Sequence, residues 1–122
     1  MFRLAFSAIV ASVLLSGMAL AQQPATYKAR LAPDAKNIGL CNELDSGLAR
    51  EQTVTVTPTG ATLVGAGGNK STMKLTSPNV YQDNRMQMGA NQFLVVADLT
   101  KTPKTLTVTD NRLGCRWTGP LS

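Results

Sequence analysis

Apolar and polar residues alternate with a period of two through much of the chain beyond residue 50. The clearest runs are 53–57 (TVTVT) and 105–109 (TLTVT), in which the apolar side chains share one face and the threonines share the other. This period is typical of strands that bury one face in an antiparallel sheet. The alternation therefore predicts an all-β fold.

Short segments rich in Gly, Pro, Asn and Ser separate the alternating runs, and residues of these types favour turns. They lie at 58–60, 67–69, 77–79, 89–91 and 110–111. Several short strands joined by turns, with no helical period, indicate a small antiparallel β-barrel or barrel-like sandwich. The continuously apolar run 93–99 (FLVVADL) predicts a strand that is buried on both faces.

The segments before the first alternating run are less regular. Residues 22–37 contain two prolines and no period, which indicates an extended N-terminal arm outside the barrel. Segment 38–50 fits either a short strand through Cys41 or a brief helical turn. We therefore expect a single domain over residues 38–122.

The first 21 residues have the organisation of a cleavable secretory signal peptide. Arg3 precedes an apolar run at 4–15, and the small residues of 19–21 (ALA) suit a signal peptidase. The run is too short to span a hydrocarbon core of about 30 Å. We expect cleavage between Ala21 and Gln22, leaving a mature chain that is soluble in the periplasm of a Gram-negative bacterium or secreted.

Two further observations bear on membrane attachment. Residues 15–18 (LSGM) place Met18 where a lipoprotein signal has the cysteine that receives the lipid. Methionine has no thiol to acylate, so we expect no lipid anchor. No later segment is apolar enough to predict a membrane span.

The chain has two cysteines, Cys41 and Cys115, and no histidine. An even cysteine count in an exported chain favours a disulfide, which would contribute about 4 kcal/mol in the chain-entropy model. The wide separation of the two thiols and the lack of histidine disfavour a metal or redox site. Trp117 shares a face with Cys115 in the last alternating run, so we expect it to be buried near the disulfide.

The residue inventory limits the chemistry available. With no histidine and both thiols paired, the usual general base and thiol nucleophile are missing, and we expect no enzyme, no cofactor and no metal. Glu43 and Asp45 are the closest carboxylate pair, which we interpret as turn residues.

The run 65–72 (GAGGNKST) differs from a phosphate-binding loop because Asn69 replaces the required glycine and a strand follows. It is interpreted as a hairpin turn.

The charge pattern limits the possible partners. The chain has 12 Lys and Arg against 7 Asp and Glu, a net charge of +5, and the cations are scattered. Scattered cations on an exported protein do not predict nucleic-acid binding. We expect a monomer without nucleic-acid partners.

Residues 77–81 (SPNVY) lie between two predicted strands, with Cys41 near the start of the domain and Cys115 near its end. This layout resembles the periplasmic and membrane-bound inhibitors of C-type lysozyme, small disulfide-closed β-barrels with a Ser-Gly-x-x-Tyr motif whose loop enters the lysozyme cleft. The resemblance implies that Ser77 and Tyr81 take the places of the motif's Ser and Tyr. Pro78 stands where the family has Gly.

These observations together predict an exported, non-enzymatic binding protein of the bacterial envelope. Its partner would be a protein, a hydrolase of the lysozyme type, engaged through the 77–81 loop. The alternative is a carrier that holds a small molecule or a lipid inside the barrel. A carrier requires a cavity, and the mid-sized apolar residues of this chain favour a filled interior.

Overall fold

The computed structural model describes residues 24–44 and 47–122, so the predicted signal peptide and Asp45 lie outside the described residues. The described chain forms antiparallel strands and a 3₁₀ helix at Gly39–Leu44. The strands are β1 (Ala25–Arg30), β2 (Ala32–Pro33), β3 (Glu51–Thr57), β4 (Gly60–Gly65), β5 (Lys70–Ser77), β6 (Val80–Met88), β7 (Asn91–Asp98), β8 (Thr105–Asp110) and β9 (Arg116–Pro120). The prediction of an all-β fold is confirmed.

Strands β3 to β9 form a meander in which each strand pairs antiparallel with the next along the chain. At one edge β1 pairs with β3, and at the other edge β2 pairs with β9. Since β1 and β2 are separated by Leu31 alone, one short segment joins both edges. The Lys28 N–H donates to the Ser122 carbonyl at 2.9 Å, and the Ser122 N–H donates back to the Lys28 carbonyl at 3.0 Å. The result is a nearly closed barrel.

This closure corrects the interpretation of residues 22–37 as an arm outside the barrel. Residues 25–30 and 32–33 are strands of the sheet, and the side chains of Ala29 and Leu31 belong to the core. The prolines are tolerated because Pro24 precedes β1 and Pro33 ends β2. Of the two alternatives for 38–50, the structure has the helical one, the 3₁₀ helix through Cys41.

The prediction that residues 93–99 are buried on both faces is wrong. In β7, Phe93, Val95 and Ala97 are buried, whereas the alternate residues Leu94 and Val96 are only half-buried. The outward face therefore carries apolar β-branched and aliphatic residues without being part of the core. Such residues fit a pleated surface whether or not it is fully covered.

The inward faces of the strands fill the barrel with side chains. The largest fully buried residues include Trp117, Phe93, Leu63, Met73 and Met86. The rings of Phe93 and Trp117 lie 6.2 Å apart, and Trp117 is 2% exposed, so its predicted burial is confirmed.

The predicted disulfide between Cys41 and Cys115 is also confirmed, with the two Cα atoms 5.7 Å apart. It ties the 3₁₀ helix to the residue that precedes β9. Both cysteines are buried, and both belong to the same core cluster as Trp117.

The barrel has two ends of different character. The disulfide end carries the long segment 34–50, which packs Cys41 and Leu48 against the core, and the turns 66–69, 89–90 and 111–115. The opposite end, named here the turn end, carries the connections 58–59, 78–79 and 99–104. The predicted loop at 77–81 lies at the turn end.

Candidate functional site

The β5–β6 connection is the tight turn Pro78-Asn79 between Ser77, which ends β5, and Val80, which begins β6. Asn79 has a φ of 62°, a left-handed conformation that asparagine adopts more readily than most residues. The preceding proline restricts its own φ and stiffens the turn. Ser77, Pro78 and Asn79 are all exposed, so the turn presents a short polar surface.

Contacts on both sides anchor this turn. The carbonyl of Asn79 accepts a hydrogen bond from the Leu99 N–H at 2.8 Å, which ties the turn to the β7–β8 connection. Within the hairpin, the Thr76 hydroxyl donates to the Val80 carbonyl at 3.3 Å. The turn is therefore fixed against its own hairpin and against the neighbouring loop.

A β-bulge in β5 determines where the turn lies. Leu75 pairs with Tyr81 and Ser77 pairs with Val80, so Thr76 is an extra residue on β5. A bulge of this kind bends the strand and increases its local twist. Leu75, which directly precedes the bulge, is 45% exposed although its partner Tyr81 is buried.

The two predicted binding residues have different environments. Ser77 is exposed at the edge of the turn, whereas Tyr81 is 4% exposed. The Tyr81 hydroxyl donates a hydrogen bond to the Thr57 carbonyl at 3.2 Å and so links β6 to the β3–β4 turn. In this arrangement Tyr81 is almost fully buried, positions the turn from inside the barrel and also lines the groove beside it. A binding role for Ser77 stays a prediction.

A groove of about 380 Å³ lies beside the turn, between β1, the β3–β4 turn and the β7–β8 connection. Its lining includes the predicted binding residue Tyr81. Further apolar lining comes from Tyr27, Pro58, Leu75, Pro78 and Leu99, and Thr57 and Asn79 add polar groups. The alternating pattern of the strands does not predict this groove. Tyr27 was assigned to the arm, and no local pattern brings residue 27 next to residue 99.

The β7–β8 connection is held at its start by Asp98. The carboxylate accepts hydrogen bonds from both the backbone N–H and the hydroxyl of Thr100, and Lys101 Nζ lies 4.0 Å from Oδ2. These hydrogen bonds hold the pKa of Asp98 below its ordinary value of 3.8. The largest cause is the hydrogen bond from the Thr100 hydroxyl, and the next is the one from the Thr100 N–H. Since Asp98 pairs with Val80, this ionised group stabilises the loop directly beside the candidate site.

The remaining carboxylates do not join the site. Glu43 is exposed in the 3₁₀ helix at the disulfide end, and its predicted neighbour Asp45 lies outside the described residues. Asp110 is buried, with Oδ2 accepting from the Leu113 N–H. Within residues 24–44 and 47–122, no group of three His, Cys, Asp or Glu is arranged to hold a metal ion.

The glycine-rich run at 65–72 forms the β4–β5 hairpin, as predicted. The Gly65 N–H donates to the Asn69 carbonyl at 2.8 Å, and β5 begins at Lys70. A strand follows the glycines, so no helix N-terminus is available to bind a phosphate.

The part of the chain that the structure describes contains no helix long and apolar enough to cross a membrane. No family model, curated protein or solved structure matches this chain. The candidate site is an anchored polar turn beside an apolar groove at one end of a disulfide-closed barrel.

Proposed function

We propose that the chain is an exported, non-enzymatic binding protein of the bacterial envelope that engages another protein through the turn end of the barrel. The partner is a hydrolase of the lysozyme type, as the resemblance of residues 77–81 implies. The observation that carries the proposal is the anchored turn, whose Asn79 carbonyl is bonded to Leu99 while Ser77, Pro78 and Asn79 stay exposed.

Anchoring supports a binding role because ordering a loop on association costs free energy. A turn that is fixed before the partner arrives avoids most of this cost. Loops held by a rigid scaffold are also where binding residues concentrate in proteins. The hydrogen bonds of Tyr81 and Leu99 supply that scaffold at this end.

The groove beside the turn supports the same proposal. Protein interfaces combine an apolar centre with a polar rim. Here Leu75 and Leu99 supply apolar surface, and Asn79 and Thr57 supply polar groups. A partner segment that packs an apolar side chain into the groove would bury Leu75 and Leu99.

The filled interior favours this proposal over ligand carriage. Trp117, Phe93 and Met86 occupy the space between the inward faces of the strands and are almost fully buried. A carrier of this size would have to leave that space to its ligand.

Enzyme inhibition tests the proposal directly. We expect the purified chain to slow cell-wall hydrolysis by a C-type lysozyme, and the variants Ser77→Ala and Pro78→Ala/Asn79→Ala to weaken the effect. Gln87→Ala is the matched control, because Gln87 is an exposed residue near the other end of the same strand pair. The net charge of +5 adds a kinetic signature: a cationic lysozyme should associate faster as salt increases, since like charges repel.

A pull-down from periplasmic extract extends the test to other hydrolases. The same variants should lose captured partners that Gln87→Ala retains. Equal capture by the turn variants and the control would remove the turn end from consideration. Failure to slow lysozyme, with a different hydrolase captured through the turn, would keep the binding surface and reject the lysozyme partner.

A further inference from the structure

The disulfide end carries a second exposed apolar feature, unrelated to the groove at the turn end. Ile38 is 53% exposed and Leu40 is 56% exposed. Gly39 lies between them, and a side chain added at Gly39 would meet nothing within 4 Å. We name residues 38–40 the apolar tip, because they project two aliphatic side chains into open space.

The tip is fixed in position by the residues around it. The Asn37 side chain donates to the Arg116 carbonyl at 2.8 Å and accepts from the Arg116 N–H at 2.9 Å. The Cys41 N–H donates to the Ile38 carbonyl at 3.0 Å, and Cys41 is bonded to Cys115. The exposure of Ile38 and Leu40 is therefore maintained by the fold, although two large aliphatic side chains in water cost free energy.

Three cations lie in the segments that hold the tip. Lys36 precedes it in sequence, Arg116 is bound to Asn37, and Arg112 lies in the turn before Cys115; all three side chains are exposed. Among the described residues of segment 34–44, the acids are Asp34 and Glu43. Asp34 is half-buried and its carboxylate accepts the Lys36 N–H, while Glu43 lies on the other side, against the β4–β5 and β6–β7 turns.

We propose that the apolar tip, with Lys36, Arg112 and Arg116, docks the protein on the surface of an anionic lipid bilayer. Aliphatic side chains enter the region between headgroups and acyl chains, and nearby cations are attracted to anionic headgroups. A protein partner is disfavoured because the two projecting side chains expose far less apolar area than the roughly 800 Å² that each side of a stable protein interface buries. A deformable lipid surface needs no matching pocket.

Vesicle sedimentation tests this proposal. The protein is purified after export, with its N-terminus determined by mass spectrometry, so that all variants share the same first residue. We expect binding to phosphatidylcholine vesicles that contain phosphatidylglycerol, and much weaker binding to phosphatidylcholine alone. Raising the salt should weaken binding to the anionic vesicles, because the attraction of the cations is screened.

Variants separate the apolar and the charged parts. Ile38→Ser/Leu40→Ser should lower the partition coefficient by about ten-fold or more. Each of Lys36→Gln, Arg112→Gln and Arg116→Gln should lower it by about five-fold. Val64→Ser is the apolar control, since Val64 is 42% exposed on the barrel wall. Lys74→Gln is the charge control, at an exposed cation of β5 that pairs with Gly60 near the turn end. Circular dichroism and thermal melting check that every variant is folded.

Several outcomes would overturn the proposal. One is the absence of binding to anionic vesicles, and another is binding that Ile38→Ser/Leu40→Ser leaves unchanged, which would indicate adsorption by charge alone. Equally tight binding to soluble polyglutamate would assign the surface to an acidic polypeptide. Self-association in ultracentrifugation that Ile38→Ser/Leu40→Ser abolishes would assign it to a second copy of this chain.

Discussion

At the scale of single residues, the turn end depends on Asn79. Within residues 24–44 and 47–122 it is the only non-glycine residue with a positive φ, and its carbonyl holds the β7–β8 connection. The conformation and the hydrogen bond are linked, because the left-handed backbone directs the carbonyl that Leu99 binds. A residue with a branched Cβ would find this conformation costly.

Replacing Asn79 tests this link. Asn79→Val should lower the free energy of unfolding by about 1–2 kcal/mol, since β-branched residues resist positive φ. Asn79→Gly is the matched control, because glycine accepts the same φ without steric cost and should leave stability within about 0.5 kcal/mol of the parent protein. Urea denaturation measures both. Equal stability of the two variants would contradict the argument.

At the scale of elements, the predictable strands are those whose pattern is local. In β3 and β8 the threonines and the aliphatic residues alternate strictly, and burial follows the alternation residue by residue. Strand β1 has no local pattern that predicts it, because only Ala29 within it is buried. Its place depends on pairing with β3 and on the hydrogen bonds between Lys28 and Ser122. The burial of β7 was misjudged because Leu94 and Val96 face outward despite their hydrophobicity.

The candidate site divides in the same way. The sequence SPN predicts the turn itself, because these residue types specify turns locally. The groove depends on Tyr27, Leu75 and Leu99, which meet only after the barrel closes and a bulge shifts the end of β5. Neither closure nor the bulge has a local sequence pattern here.

The loop that begins at Asp98 has a predicted response to pH. Because hydrogen bonds from Thr100 lower the pKa of Asp98 below 3.8, the ionised carboxylate contributes stability above the pKa that it has in the unfolded chain. This contribution is lost as the pH falls through the lower, folded value. An NMR titration should therefore place the Asp98 midpoint below 3.8.

A variant identifies the cause of this shift. Thr100→Ala removes the hydroxyl donor, which is the first cause of the lowered pKa, and should move the Asp98 midpoint upward. Thr102→Ala, an exposed residue of the same loop, is the control and should leave the midpoint unchanged. An identical midpoint in both variants would show that the hydroxyl does not stabilise the ionised form.

At the scale of the whole molecule, closure depends on a close backbone approach at Gly119. A Cβ at this position would lie 2.2 Å from the Arg30 carbonyl oxygen and 3.2 Å from the Leu31 side chain. Backbone cannot yield as a flexible side chain does, so residues 30–31 would have to move away from β9. Glycine at this position lets the N-terminal segment reach both edges of the sheet.

Gly119→Ala should consequently lower the free energy of unfolding by about 2 kcal/mol or more, as overpacking does in dense cores. Hydrogen exchange should also become faster at the Lys28 and Ser122 amides, because each of them donates to the other residue's carbonyl across the closure. Gly67→Ala is the control, because a Cβ there meets nothing within 4 Å. If both variants had the same stability and exchange, Gly119 would have no part in closure.

The two hydrogen bonds between Lys28 and Ser122 also bear on the order in which the strands of the barrel pair. Each hairpin of the meander joins strands that are neighbours in the chain, so these pairings close short loops and form readily. Joining the two edges of the sheet instead pairs residues 28–33 with 117–122, so this contact closes a long loop and forms more slowly. A chain without residues 117–122 would keep the hairpins from β3 to β8 and leave β8 as an open edge. The pairing of these two segments therefore decides whether an edge open to other chains becomes a protected barrel.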